Sequence, residues 1–266
     1  MHDDPAAPEV PEWLHGSWRR AWIRRGATRA SDVAVHYVQT PRMFADLRVL
    51  DARPRVGATS FADATDADLS ALAEQWGFAG FATADGDVVT WHHELDFQPD
   101  EPGEVDVGRV ERVGNAMLEH ALDGAYTELW WRVASGDGRY FAAERRAGGR
   151  LEGLLVVAGD AFMYVRDRAV PLPEAKSLRE LVDDPNRGRA AKISYLDCEI
   201  SAGRARGGAR PWAIERSTLP WREGCALDPP FSVRAGALTM REGWVAVTST
   251  FALEDLALLS DVDGGN

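Results

Sequence analysis

The stretch V-V-T-W-H-H-E-L-D-F-Q-P, residues 88–99, decides how this chain is read. Apolar and polar residues alternate along it, the period of a strand whose successive side chains point to opposite faces. Thr90, His92, Glu94, Asp96 and Gln98 then share one face, and Val89, Trp91, His93, Leu95 and Phe97 share the other. The two adjacent histidines point opposite ways, so they cannot ligate one ion together. The row His92, Glu94, Asp96 is either a wet outer surface or the lining of a pocket.

Working outward, Asp85–Gly86 is a hairpin signal that pairs 88–97 with a strand over 78–84. Earlier strands are expected over 17–25, 33–39 and 43–49. Later ones are expected over 105–113, 116–122 and 126–134, with turns at Gly114–Asn115 and Asp123–Gly124. A hairpin through S-G-D-G (135–138) is expected to join 126–134 to 139–146. Further strands fall at 150–157, 161–166, 191–201, 211–217, 235–241 and 244–251. Helical spacing is confined to 65–76, capped by Thr65 or Asp66, and to 174–184, stopped by Pro185. A single helical turn fits Trp13–Gly16. So many short strands with Gly, Asp and Asn turns favour an all-β, up-and-down antiparallel barrel, whose closure removes sticky edges. The expectation is about ten strands, closed by a C-terminal hairpin, with one or two short helices.

The chain has 266 residues, 45% hydrophobic and 27% charged, enough to bury a sizeable core. A flexible segment over 1–11, one barrel domain over 12–258 and a flexible tail over 259–266 are expected. A faint repeat of helix then polar strand, at 65–98 and 174–201, would divide the domain into halves 12–150 and 151–258. The formal net charge of −12 argues against nucleic acid or an anionic membrane as partner, because both demand a positive field. The acidic, Pro-rich start has no apolar core of a signal peptide, and no run is long enough to span a membrane. A cytoplasmic protein is expected, with Cys198 and Cys225 as buried free thiols.

Several stretches carry a family likeness. Gly16 and Trp18, in W-L-H-G-S-W-R-R (13–20), match the Gly-x-Trp that opens lipocalin-like barrels, whose indole packs across the closed end. Y-V-Q-T-P-R-M-F-A-D-L-R-V (37–49), T-W-H-H-E-L-D-F-Q-P (90–99) and Y-T-E-L-W (126–130) add to this. So do L-D-C-E-I-S (196–201) and I-E-R-S-T-L-P-W-R-E-G (214–224). Over roughly residues 12–225 the chain resembles an uncharacterised bacterial group of calycin-like proteins, distantly similar to a fungal kinase-interacting protein. The resemblance implies a calycin or lipocalin-like barrel and brings no catalytic residue set with it.

The candidate site residues come from strand faces that mix acids and arginine with large aromatics. Phe44, Asp46 and Arg48 share one face; Tyr126, Glu128, Trp130 and Arg132 share another; Tyr195, Asp197 and Glu199 a third. On a solvated face such rows would be weak surface ion pairs, with the apolar face filling the barrel. In a cavity they would bind a small, partly hydrophobic ligand, aromatic or terpenoid-like, among Phe44, Asp46, Arg48, Trp91, Trp130, Tyr195, Asp197 and Glu199. A cofactor-independent lyase, isomerase or cyclase is the alternative. His92, kept basic by Glu94 and Asp96, would be its general base, and Tyr126 or a protonated Glu128 its acid. A protein-interaction scaffold follows from the fungal resemblance alone. No cofactor and no metal is expected: zinc would need His92 with His36 or His120 and Glu94, and no spacing motif brings them together. Haem would need only one axial histidine, from His92, His93 or His120.

Overall fold

The computed structural model describes residues 9–99, 103, 105–133 and 138–260. Strand β1 (Gly16–Arg25) turns back on the short β2 (Thr28–Ala30) and then runs beside β3 (Val33–Gln39). Next come β4 (Met43–Leu50), β5 (Trp76–Asp85), β6 (Val88–Asp96), β7 (Asp106–Val113), β8 (Ala116–Ala121) and β9 (Thr127–Val133), each antiparallel to its neighbour. β9 returns to β1, pairing Val133 with Ser17 and Thr127 with Arg24. Among the described residues this is a closed antiparallel barrel of eight strands. The turns at 85–86, 114–115 and 123–124 join neighbouring strands as the sequence indicates.

Closure comes earlier in the chain than expected, and the rest of the sequence builds a second sheet. β10 (Tyr140–Ala147), β11 (Arg150–Ala158), β12 (Ala161–Arg166), β13 (Glu199–Arg204) and β14 (Ala213–Ser217) form a meander. The hairpin expected between 126–134 and 139–146 does not form, since β9 and β10 lie in different sheets; residues 134–137 are outside the described set. Nor does a C-terminal hairpin close the barrel. β15 (Phe231–Arg234) pairs with β16 (Ala237–Met240), while β17 (Trp244–Ser249) adds to the edge of β10.

Residues 191–201 are not one strand. α3 (Arg189–Leu196) occupies most of them, and only Glu199–Arg204 is extended. The polar–apolar alternation of I-S-Y-L-D-C-E misleads because the alanines before it favour a helix. α1 (Asp66–Leu72) is capped by Thr65 in a reciprocal capping box with Asp68, as the S/T-x-x-D spacing permits. α2 (Leu178–Asp183) is capped by Ser177, and α4 (Leu253–Ser260) ends the expected domain and runs two residues into the expected flexible tail. Val10, also assigned to a flexible end, is buried in the barrel core; residues 1–8 and 261–266 lie outside the described set. Cys198 and Cys225 are both free thiols, but Cys225 is exposed. No helix among the described residues is long and apolar enough to cross a membrane.

The second sheet lies against the barrel wall made by β3, β4 and β6, with β11, β12 and β13 facing it. Ala45, Leu47 and Val49 of β4 point out of the barrel, yet all are buried against Leu154, Val156, Val165 and Ile200. Helices α1, α2 and α3 add Leu69, Leu72, Leu181 and Leu196 to the same core. The far side of the second sheet is covered in turn by β15, β16 and α4, around Trp212 and Phe231. The barrel wall is therefore buried on both faces, and its apolar row serves the outer one.

One end of the barrel is shut by Trp18, buried beneath the helical turn Glu12–Leu14 with its indole N–H donating to the Leu14 carbonyl at 2.8 Å. The Arg132 guanidinium lies 4.5 Å above the indole ring and donates to the carbonyls of His15, at 2.7 Å, and Trp13. Gly16 makes this possible: its φ is +143°, and a Cβ there would strike the Arg132 guanidinium. Gly16→Ala is expected to lower the urea unfolding midpoint by the equivalent of about 1–3 kcal/mol. Arg132→Ala should lose part of the same closure.

Candidate functional site

The alternation that governs β6 is broken in the middle by a bulge. Ala82 lies opposite Trp91 and Phe81 opposite His92, but both His93 and Glu94 fall at Gly80 before Leu95 reaches Ala79. A Cβ on Gly80 would collide with the His92 carbonyl, so the bulge needs a glycine across from it. Beyond the bulge the parity reverses. Trp91, His93 and then Asp96 face the barrel interior, while Leu95 joins the outer core.

This relocates the predicted catalytic row. His92 lies outside the barrel, stacked on Phe81 with centroids 4.5 Å apart and bonded to the Thr83 hydroxyl at 3.0 Å. Burial lowers its pKa, which favours the neutral ring, and it does not line the barrel cavity. Glu94 sits at the bulge and holds Arg146 of the second sheet through two bonds of 2.8 and 2.7 Å. Asp96 alone of the three turns toward the mouth of the barrel, where it bonds His93, the histidine of the opposite face. His93 Nδ1 lies 2.8 Å from Asp96, and Nε2 lies 3.1 Å from Asp106 of β7. Its ring stacks on Phe78 at 3.9 Å. Burial opposes its charge, but the bonds to Asp106 and Asp96 outweigh that and raise its pKa to about 9.

Below this mouth is a cavity of about 20 Å³, room for one or two water molecules. Tyr37, Phe78, Trp91 and Trp130 wall it, and Asp46, Arg48, Asp106 and Glu119 supply its polar surface. Arg48 bonds Asp46 at 2.8 Å and lies 4.9 Å over Phe78, forming the outer rim. Trp91 donates to the Tyr37 hydroxyl at 3.0 Å. Deeper in, Glu119 of β8 and Glu128 of β9 stand directly opposite each other. Like charges so placed repel. Burial, with Glu128 and Asp106 nearby, drives the Glu119 carboxyl well above its usual range, and Tyr126 donates to it at 3.0 Å. Burial also raises Glu128 and Asp46, against the opposing pull of arginines: Arg48 then Arg20 on Glu128, and Arg48 on Asp46. Arg20 holds Glu128 at 2.5 Å. Two buried groups keep no protein partner here: Glu128 Oε2 and Trp130 Nε1.

Of the predicted residues, then, the barrel gathers Phe44, Asp46, Arg48, Trp91, Glu128 and Trp130, with Tyr126 and Asp96 at its margins. Three others belong elsewhere. Tyr195 is on α3, bonded by Arg187; Asp197 caps that helix and pairs with Arg166; Glu199 is buried on β13 against Ser201 and Arg222. His36 and His120, considered with His92 for zinc, are bonded separately to Arg19 and Thr127. Sequence reasoning missed Arg20, Tyr37, Asp106 and Glu119, and named His93 only as an axial haem candidate. Asp106 and Glu119 take their place only from neighbours on other strands, and His93 from a bulge that nothing local announces.

Compared with protein-family models and with curated proteins, the sequence matches none. Among solved structures the chain is similar to the uncharacterised protein YLR301w from Saccharomyces cerevisiae, with a TM-score of 0.52 at 13% identity. The match covers 88% of this chain and 98% of the yeast one, so the likeness takes in the barrel and the second sheet together. At that identity it is a likeness of fold.

The His93 site sets a pH dependence whose sign follows from its raised pKa. Stability from His93 is complete below the unfolded value of 6.5 and is lost as pH rises through about 9. Glu119, its carboxyl pushed well above the usual range by burial, slopes the same way, whereas His15, His36 and His92, whose pKa values burial lowers, act only on the acid side of 6.5. Unfolding free energy from urea titrations should fall between pH 6.5 and 9. His93→Gln should flatten that fall by about 1–2 kcal/mol, allowing for solvent screening at the mouth.

Proposed function

We propose that the barrel binds a small, partly hydrophobic ligand whose polar end is a hydrogen-bonding cation. The observation that carries this reading is the pair of unpartnered buried groups on β9, Glu128 Oε2 and Trp130 Nε1, of which Trp130 lines the aromatic-walled cavity. Leaving such groups unsatisfied costs about 1–3 kcal/mol each, which a bound guest would recover. Even with Glu119 left out as driven toward its neutral form, Asp46, Asp96, Asp106 and Glu128 outnumber Arg20, Arg48 and the His93 imidazolium by one, so a positive head group is favoured over a carboxylate. Trp91, Trp130 and Phe78 offer the faces on which a cation or a ring would lie. The cavity, at about 20 Å³, holds only water as it stands, so Arg48 with Phe78 must swing aside to admit even a single ring, and a terpenoid is too large. The Gly16–Trp18 closure, with its indole across the shut end, supports the calycin-like reading of the barrel.

A second reading, acid–base catalysis in the same cavity, rests on His93 rather than His92. Held between Asp96 and Asp106, His93 is an imidazolium at neutral pH and would serve as a general acid, with Asp106 positioned to take the proton back. A lyase or isomerase would use it so, and His93→Gln would abolish turnover while leaving binding in place.

Binding is tested by calorimetry with phenethylamine and, as its charge-reversed counterpart, phenylpropionate. Phenethylamine should bind and phenylpropionate should not, and Glu128→Gln should weaken the amine about tenfold. Equal affinity for both probes, or an unchanged Glu128→Gln, would overturn the assignment.

A further inference from the structure

A second cleft lies between the barrel and the other sheet, on the outside of the barrel wall. Ser17 and Arg19 of β1 and His36 of β3 form one side; Arg204 of β13 and Glu215 of β14 form the other. Small residues, Ala161, Ala202 and Gly203, leave its back open. The charge here runs opposite to that of the chain. Arg19 and Arg204 share the single carboxylate of Glu215, at 3.4 and 3.5 Å, both longer than a good charge-assisted hydrogen bond. Arg216 next to it leans on Glu223 at 3.4 Å, and that carboxylate is already bonded to Arg53 at 2.6 Å. Four guanidinium groups thus have two carboxylates between them, an excess of two positive charges in a protein of net charge −12.

The cations are held in place. Arg19 donates to Nε2 of His36, which is buried and kept neutral by burial and by Arg19 and Arg216, so it accepts that bond and adds no charge. Burial and then the neighbouring Arg204 and Arg216 pull Arg19 down to about 10, even with Glu215 alongside. The Ser17 hydroxyl beside Arg19 makes no hydrogen bond to protein among the described residues and is open to the cleft. Glu215 itself is exposed.

We infer that this cleft is an oxyanion site for a phosphate group, gripped by Arg19, Arg204 and Ser17, with the Glu215 carboxylate occupying the anion's place in the ligand-free protein. A dianion matches the charge excess, and two guanidinium forks facing one point match its geometry. The Gly/Arg segment S-A-G-R-A-R-G-G-A-R, residues 201–210, thereby gains a use: it delivers Arg204 to the cleft from the end of β13. This site is independent of the barrel cavity and opens on the opposite face of the wall.

Calorimetry on the full chain tests it, with inorganic phosphate and glycerol 3-phosphate as probes. Phosphate should bind the wild type, Glu215→Gln should bind about tenfold tighter, and Arg204→Gln at least tenfold weaker. The gain in Glu215→Gln cannot come from misfolding, which keeps the test decisive if Arg204→Gln is unstable. A monoester that binds tighter than phosphate identifies a phosphorylated metabolite as the natural ligand, and the reverse order identifies free phosphate. No phosphate binding by either the wild type or Glu215→Gln would overturn the site, as would affinity that Arg204→Gln leaves unchanged.

Discussion

The contact on which the remaining features depend is that between the outer wall of the barrel and the second sheet. An isolated eight-stranded barrel must put its apolar row inside, because the outside is water. Here Ala45, Leu47 and Val49 of β4 find Val156, Val165 and Ile200 outside the barrel instead. With the apolar row consumed there, the same alternation turns Phe44, Asp46 and Arg48 inward. The polar interior is thus a consequence of the outer packing, and Asp46 and Arg48 meet their charge requirements by pairing with each other.

A polar interior is costly unless its groups are paired, and the barrel pays in a graded way. Near the mouth, Asp46 with Arg48, and His93 with Asp96 and Asp106, form ion pairs within reach of solvent. At depth the Glu119 and Glu128 pair cannot both ionise cheaply, so the first is driven toward its neutral form while the second leans on Arg20. What is left unmatched, Glu128 Oε2 and Trp130 Nε1, marks the place where a guest has most to offer.

Much of the fold was legible. The two-residue turns and the strand periods between residues 16 and 133 correspond to the barrel hairpins, because tight turns and alternation are local properties. Residues 191–197 were misread because a short polar–apolar alternation also fits a helix, and neither Tyr195 nor Asp197 could then lie where a strand would have put it. The site was legible only by residue type. Asp46, Arg48, Trp91, Glu128 and Trp130 were recognised as unusual company for a solvated strand, whereas Arg20, Asp106 and Glu119 acquire meaning only across strands far apart in sequence.

The stretch 88–99 separates the two levels. Its sequence determined that it is a strand, that Asp85–Gly86 turns it against its neighbour, and that its two histidines face opposite ways, since each of these follows from local backbone geometry. Tertiary structure decided which histidine faces in. A bulge opposite Gly80 reversed the parity beyond His93, and a second sheet outside the wall supplied the apolar surface that Leu95 and Phe97 bury. Neither is encoded within the stretch, because both depend on atoms that other parts of the chain bring to it.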